Sequence, residues 1–226
     1  MRLFALVSNV VLIALATLAT ALPAGAQTDR AGVFDYYVLS LSWQPNWCAD
    51  EGRARGAPEC GTGAGGHPGV GRGWVLHGLW PQRARGWPEF CRTPERPPSR
   101  AMTAGMADIM GSPGLAWHQW RKHGSCSGLP AAAYFALSRR AFDKVQMPPE
   151  LDALDRPVRL PAQLIEAAFL QANPAWHPDM LTITCKNGRI QEARLCLSRD
   201  LDPVRCGADV IRDCGLRDAL FLPRHP

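Results

Sequence analysis

The sequence predicts an α+β fold, a central and largely antiparallel sheet flanked by several helices and cross-linked by four disulfides. Three observations predict it. Two strand-like segments come first, helical patterns follow, and a hairpin comes last, an order without the regular alternation of a parallel βαβ fold. Lys186-Asn187-Gly188 separates two β-prone runs, and Asn-Gly supplies the positive φ angles of a tight hairpin. All eight cysteines (Cys48, Cys60, Cys91, Cys126, Cys185, Cys196, Cys206 and Cys214) fall after residue 26, an even number for which full pairing is the default in an exported chain.

The expectation of export comes from the first 26 residues. They hold one charge at Arg2, an apolar run from Leu3 to Leu22, and Ala24-Gly25-Ala26 before Gln27, the layout of a cleavable secretory signal. A retained anchor is disfavoured because Ser8 and Asn9 interrupt the run, and no later segment is apolar for long enough to span a bilayer. Residues 27–226 then read as one domain, since 46% hydrophobic content in 226 residues supports one substantial core. A monomer free of the membrane is expected, in a periplasm or outside the cell. Loss of Arg2 lowers the formal charge by one from +5. That balance suits a polyanionic partner but is common among exported proteins generally.

Phe34 to Trp43 is a nearly continuous aromatic and aliphatic run, too short and too β-prone for a surface helix, so it reads as a central strand buried on both faces. Gln44-Pro45 stops its ladder. Glycines dominate between Cys60 and Gly73, which reads as a loop with an incidental His67. Trp74-Val75-Leu76 reads as a short strand delivering His77, and Pro81 to Pro98 as a proline- and arginine-rich loop held by Cys91. Ser112 before Pro113 is a helix start and Gly124 a stop, giving a helix over 113–123. Two more helices are expected near 131–146 and over 161–172. Leu181 to Cys185 and Arg189 to Leu197 are the arms of the hairpin.

Chemistry concentrates in two places. The helix over 113–123 ends Trp117-His118-Gln119-Trp120-Arg121-Lys122-His123, where Gln119 and His123 stand one turn apart, as do His118 and Lys122. His118 and His123 lie about 140° apart around the axis, so they can border one cleft but are poorly placed to grip one zinc ion. A zinc protein using them with cysteines would also need free thiols. A lone histidine is more often a surface or structural residue than a catalyst. Two tryptophans, two histidines and a lysine before a glycine stop are more than a solvated face requires. The second place is His77-Gly78-Leu79-Trp80-Pro81, whose blander reading is an aromatic core turn.

Together, Trp74-Val75-Leu76-His77-Gly78-Leu79-Trp80-Pro81 and His118-Gln119-Trp120-Arg121-Lys122-His123-Gly124-Ser125-Cys126 resemble the two active-site segments of the ribonuclease T2 family, in the same order. The stretch from Phe34 to Cys48 resembles the family's first strand, and Leu195-Cys196-Leu197 its late strand. The resemblance implies the disulfides Cys48–Cys60, Cys91–Cys126, Cys185–Cys214 and Cys196–Cys206. It implies a metal- and cofactor-independent endoribonuclease that cleaves single-stranded RNA through a 2′,3′-cyclic phosphate to 3′-phosphate ends with little base preference. His123 is then the base, His77 the acid, Lys122 the partner of the phosphate oxygens and His118 the phosphate anchor, while Trp80 stacks on a nucleobase and Gln44 stands near a second base.

One departure stands out. The family usually carries glutamate where this chain has Gln119. An amide can donate to a phosphate oxygen, which an ionised carboxylate cannot, but it does not favour a protonated His123 or Lys122. Reduced or pH-shifted activity is expected, and a catalytically impaired RNA-binding or interaction protein is the alternative.

Overall fold

The computed structural model describes residues 29–61 and 73–224. The leader expected over 1–26, His67 and most of its loop lie outside the described residues. Six strands form one sheet: β1 (Tyr36–Trp43), β2 (Trp74–Gln82), β3 (Val158–Leu160), β4 (Leu181–Lys186), β5 (Arg189–Leu197) and β6 (Ala219–Phe221). The path runs β2-β1-β5-β6-β3, with β4 also paired to β5, and every pairing is antiparallel except β5 with β6. The helices are α1 (Gln44–Trp47), α2 (Arg100–Ala104), α3 (Ala107–Met110), α4 (Pro113–Lys122), α5 (Ala131–Asp143), α6 (Pro149–Asp152) and α7 (Ala162–Ala172). Among the described residues no helix is long and apolar enough to cross a membrane.

Side chains alternate between the two faces of a strand, and this alternation divides the sheet. Tyr37, Leu39, Leu41 and Trp43 of β1 join Ile183 and Leu195 in a core shared with Trp120, Tyr134, Ile165 and Phe169 of α4, α5 and α7. Tyr36 and Val38 face the other way, into a smaller cluster with Cys196, Cys206 and Val210. This second face carries the polar residues discussed below.

The β4–β5 hairpin turns through Asn187 at φ 48° and Gly188 at φ 74°, the left-handed pair its sequence calls for. β2 is longer than the Trp74–Leu76 strand expected, because β1 pairs with it as far as Tyr36 opposite Gln82. Pro81 is tolerated there, opposite Tyr37, because β2 ends the sheet path and a missing donor costs little on an edge. The loop expected from Pro81 accordingly begins only after Gln82.

A bulge in β2 sets up the site. Ser40 pairs with Gly78 and Leu41 with Leu76, so His77 is an extra residue on its strand. The extra residue lets both Leu76 and Leu79 reach the apolar core while His77 and Trp80 share the opposite face.

α4 starts where Ser112 Oγ accepts the Leu115 N–H, with Pro113 in the first turn. It ends at Lys122, one residue before the expected end at 123, because His123 adopts φ −116° as the C-cap. Gly124 must follow, since a Cβ there would lie 2.6 Å from Trp120 and 2.8 Å from Tyr134. The disulfides are Cys48–Cys60, Cys91–Cys126, Cys185–Cys214 and Cys196–Cys206, the same four pairs that the resemblance implies. Cys91–Cys126 ties the loop after β2 to the end of α4, where the Phe90 N–H also donates to the Lys122 carbonyl at 2.8 Å.

Candidate active site

His77 comes from β2 and His118, Gln119, Lys122 and His123 from the end of α4, and all five line one cleft of about 380 Å³. Trp80, Gln82, Trp87, Arg194 and Asp209 complete most of its wall. The two patches legible in the sequence, about 40 residues apart along the chain, are thereby brought to one place.

Trp80 contacts both histidines. Its ring meets His77 edge-on at 5.2 Å between centroids and lies nearly parallel to His123 at 5.1 Å and 26°. The indole nitrogen donates to Gln119 Oε1 at 2.7 Å. These contacts leave no room for a side chain on Gly78, whose Cβ would lie 2.2 Å from Gln119 Oε1 and 2.4 Å from Trp80 Nε1.

His123 is 6% exposed, and its Nδ1 is buried without a hydrogen-bond partner, so the ring presents Nε2 to the cleft. Burial pushes its pKa down to about 3, with the positive charges of Lys122, His77 and His118 acting in the same direction. The ring is therefore a neutral acceptor across the ordinary pH range. The pKa of His118 is lowered also, by its partial burial first and then by Lys122, His77 and Arg121. Lys122 is loosely tethered to Glu89 at 3.4 Å.

His77 has a partner that the sequence analysis did not identify. Its Nδ1 lies 2.5 Å from Glu192 Oε1, reaching across β1 to β5. Glu192 is buried, and its second oxygen accepts from Arg194 Nε at 2.9 Å and stands 2.7 Å from Nη2 of the same guanidinium. Burial pushes its carboxyl upward, but the His77 and Arg194 charges and hydrogen bonds outweigh that and hold it well below the usual carboxylate range. The signal was present in Arg189-Ile190-Gln191-Glu192-Ala193-Arg194: an acid and a base two apart share a strand face, and neither belongs on a buried face without a partner.

Gln44 lies elsewhere. It is 1% exposed at the β1–α1 junction, close to Gly111, and does not line the cleft. The cysteines expected of a zinc protein are all in disulfides.

The arrangement offers a neutral imidazole, a second imidazole oriented by a buried carboxylate, and a lysine beside them. Such a set can take a proton on one side of a bound phosphodiester, return one on the other, and attract the anion between.

Comparison with known proteins shows the family and the fold. The model of the ribonuclease T2 family matches residues 34–206. A ribonuclease of Aeromonas hydrophila is 32% identical over 201 residues, covering 85% of this chain and 87% of its own. A probable ribonuclease of Haemophilus influenzae is 34% identical over 129 residues, covering 54% of this chain and 47% of its own length. Among solved structures, ribonuclease NT in complex with 5′-AMP superposes with a TM-score of 0.63 at 19% identity, covering 84% of this chain and 98% of that one. The self-incompatibility SF11 ribonuclease of Nicotiana alata gives 0.61 at 20% identity, covering 84% and 99%. With its motifs, its sheet and its matched length taken together, the chain belongs to the ribonuclease T2 family.

Proposed function

We propose that this protein is a metal-independent endoribonuclease that cleaves single-stranded RNA by attack of the 2′-hydroxyl on the adjacent phosphorus. The observation that carries the reading is that His77 and His123 both contact Trp80 in one cleft that also holds Lys122 and His118. His123, held neutral by burial, accepts the 2′-hydroxyl proton through Nε2. The oxygen attacks phosphorus, the bond to the 5′-oxygen breaks, and His77 donates the proton that the departing oxygen needs. The products are a 2′,3′-cyclic phosphate and a free 5′-hydroxyl. Water then opens the cyclic ester to a 3′-phosphate with the two roles reversed.

Lys122 and His118 supply positive charge and donors to the nonbridging oxygens as the phosphorus becomes crowded. Gln119 adds its amide N–H. Glu192, hydrogen-bonded to His77 Nδ1, fixes the orientation of the imidazole and leaves its Nε2 for the leaving oxygen. A nucleobase is held by aromatic surface. Trp80 already carries His123 against its ring and the Arg194 guanidinium 5.4 Å from it, whereas Trp87 is 47% exposed at the same cleft. Trp87 therefore offers the freer stacking surface, and stacking discriminates little between bases.

Export from the cytosol belongs to the same proposal. Four disulfides suit an oxidising compartment, and the leader-like residues 1–26 supply the route.

The test is cleavage of a dinucleoside phosphate by the mature protein in excess chelator, with the products identified and a His77→Ala variant beside it. A 2′,3′-cyclic phosphate made by the native protein and not by the folded variant is expected. Turnover that needs a divalent ion, or none at all from the folded native protein, would overturn the assignment, the second outcome favouring the RNA-binding alternative raised by Gln119.

A further inference from the structure

Arg194 belongs to more than one hollow. That residue also lines a second concavity, of about 500 Å³, which lies over the edge strand β4 and the β4–β5 turn. A second feature joins the two hollows. Asp209 and Val210 line the first, and Arg212, Asp213, Cys214 and Gly215 line the second, so one continuous segment walls both.

This wall is fixed in place. Cys185–Cys214 bonds it to β4, the Cys214 N–H donates to the Ile183 carbonyl at 2.8 Å, and the Arg212 N–H donates to Thr182 Oγ1 at 3.1 Å. Antiparallel strands lie about 4.8 Å apart, so moving from β2 through β1 and β5 to β4 carries the groove about 14 Å across the sheet. That is room for nucleotides flanking the reaction centre.

The charges in the second hollow are unequal in availability. Lys186 is paired with Glu51. Asp213 accepts from Thr182 Oγ1 at 2.6 Å, which turns one of its oxygens toward the sheet. Arg194 is engaged by Glu192. Arg212 is exposed, donates its Nε to the Asp209 carbonyl at 3.1 Å, and has no carboxylate partner among the described residues. Its guanidinium is thus pinned by one nitrogen, with its remaining N–H groups available. A planar cation held in that way suits bidentate capture of a phosphate.

We propose that the groove over β4 is a second subsite, in which Arg212 binds a flanking phosphodiester of a single-stranded RNA whose reacting phosphate lies between His77 and His123. The inference rests on the ribonuclease reading but concerns substrates longer than a dinucleotide. Such a subsite strengthens the binding of polymer without touching the chemistry, so it separates long substrates from short ones.

Two measurements on native protein, Arg212→Ala and Arg212→Lys test it. The first compares kcat/KM for a dinucleoside phosphate and for an RNA hexamer. Arg212→Ala is expected to lower the hexamer value by about threefold to fivefold, the effect of losing one exposed charged contact, to leave the dinucleoside value unchanged, and to be partly rescued by Arg212→Lys. The slope of log kcat/KM against log salt for the hexamer should fall in magnitude by about 0.7, one single-strand phosphate contact. The second measures binding of a 2′-O-methyl hexamer and dimer, which cannot be cleaved because the attacking hydroxyl is capped. If the native protein cleaves nothing but Arg212→Ala still weakens hexamer binding selectively, the subsite stands and the ribonuclease reading falls. Equal losses for long and short ligands, or no loss for either, would overturn the subsite.

Discussion

The Trp80 indole N–H donates to Gln119 at 2.7 Å, and because an indole nitrogen can only donate, the accepting atom must be the amide oxygen. The Gln119 NH₂ group is thereby turned away from Trp80, within a residue that lines the cleft. A glutamate here would accept the same hydrogen bond and replace that NH₂ by an anionic oxygen. Gln119→Glu is therefore close to isosteric and adds one charge beside His123 and Lys122. The added carboxylate should raise the His123 pKa by about one unit or more, making a stronger base. The acidic limb of kcat/KM against pH should move upward, and cleavage near neutrality should become faster. An unmoved limb would show that position 119 is not electrically coupled to His123.

The unmodified enzyme should work well into the acid range. His123 titrates near 3 in the folded state, against 6.5 for a free imidazole, so it remains a competent acceptor at pH 4 to 6. The stability consequence follows from the same shift. A group with a depressed folded pKa contributes its full stabilisation above its unfolded value, and that contribution is lost as pH falls through the folded value. His123 should thus destabilise the fold progressively from pH 6.5 down to about 3. Urea midpoints across that window, for native protein and His123→Phe, should fall steeply for the first and less steeply for the second. Parallel curves would mean that His123 is protonated in the folded state as readily as in the unfolded one.

Much of this site can be read from the chain, and the reason is locality. Ser112-Pro113 and Gly124 bound a helix through contacts within a few residues, and that helix with its C-cap His123 carries four of the cleft residues. Asn187-Gly188 fixes its hairpin equally locally. Glu192 was missed because its partner is 115 residues away and is reached only when β1 brings β2 and β5 together. The β2 bulge was missed for a related reason: the register that makes His77 an extra residue is set by β1, not by the sequence around His77. Gln44 shows the converse, since its burial beside Gly111 depends on a segment distant in the chain and cannot be read from its place at a strand end.

Glu192 acts through His77, and its replacement should separate chemistry from binding. Glu192→Gln keeps the shape but removes the charge that orients His77. A general acid is worth about 10²- to 10⁴-fold, and mispositioning it should cost the lower part of that range in kcat with little change in KM. Acid stability should change also. The Glu192 carboxyl lies at about 2 when folded against 4.5 when free, so its stabilisation is complete above about pH 4.5 and is lost as pH falls toward 2. Glu192→Gln should flatten the stability curve in that window. A parallel loss in kcat and in substrate binding would indicate a purely structural role.

Gly78 offers a test of whether the Trp80–Gln119 contact matters as geometry. Its φ is not in the left-handed region, so the backbone tolerates any residue; the obstacle is space, with Gln119 Oε1 2.2 Å and Trp80 Nε1 2.4 Å from where a Cβ would stand. Gly78→Ala must push the indole or the amide aside, and either movement shifts the surface on which His123 lies. Overpacking of this kind costs about 1–3 kcal/mol of stability, which a domain held by four disulfides should survive folded. Activity should fall by at least about tenfold, because displacements of about 1 Å at a reacting centre have effects of up to about 10²-fold. The double variant Gly78→Ala, Gln119→Ala separates the causes. Removing the amide relieves one of the two clashes and frees the indole to shift, so stability should recover part of the way toward that of Gln119→Ala alone. If it does not recover, the displaced group is Trp80 and His123 loses its stacking partner in both variants.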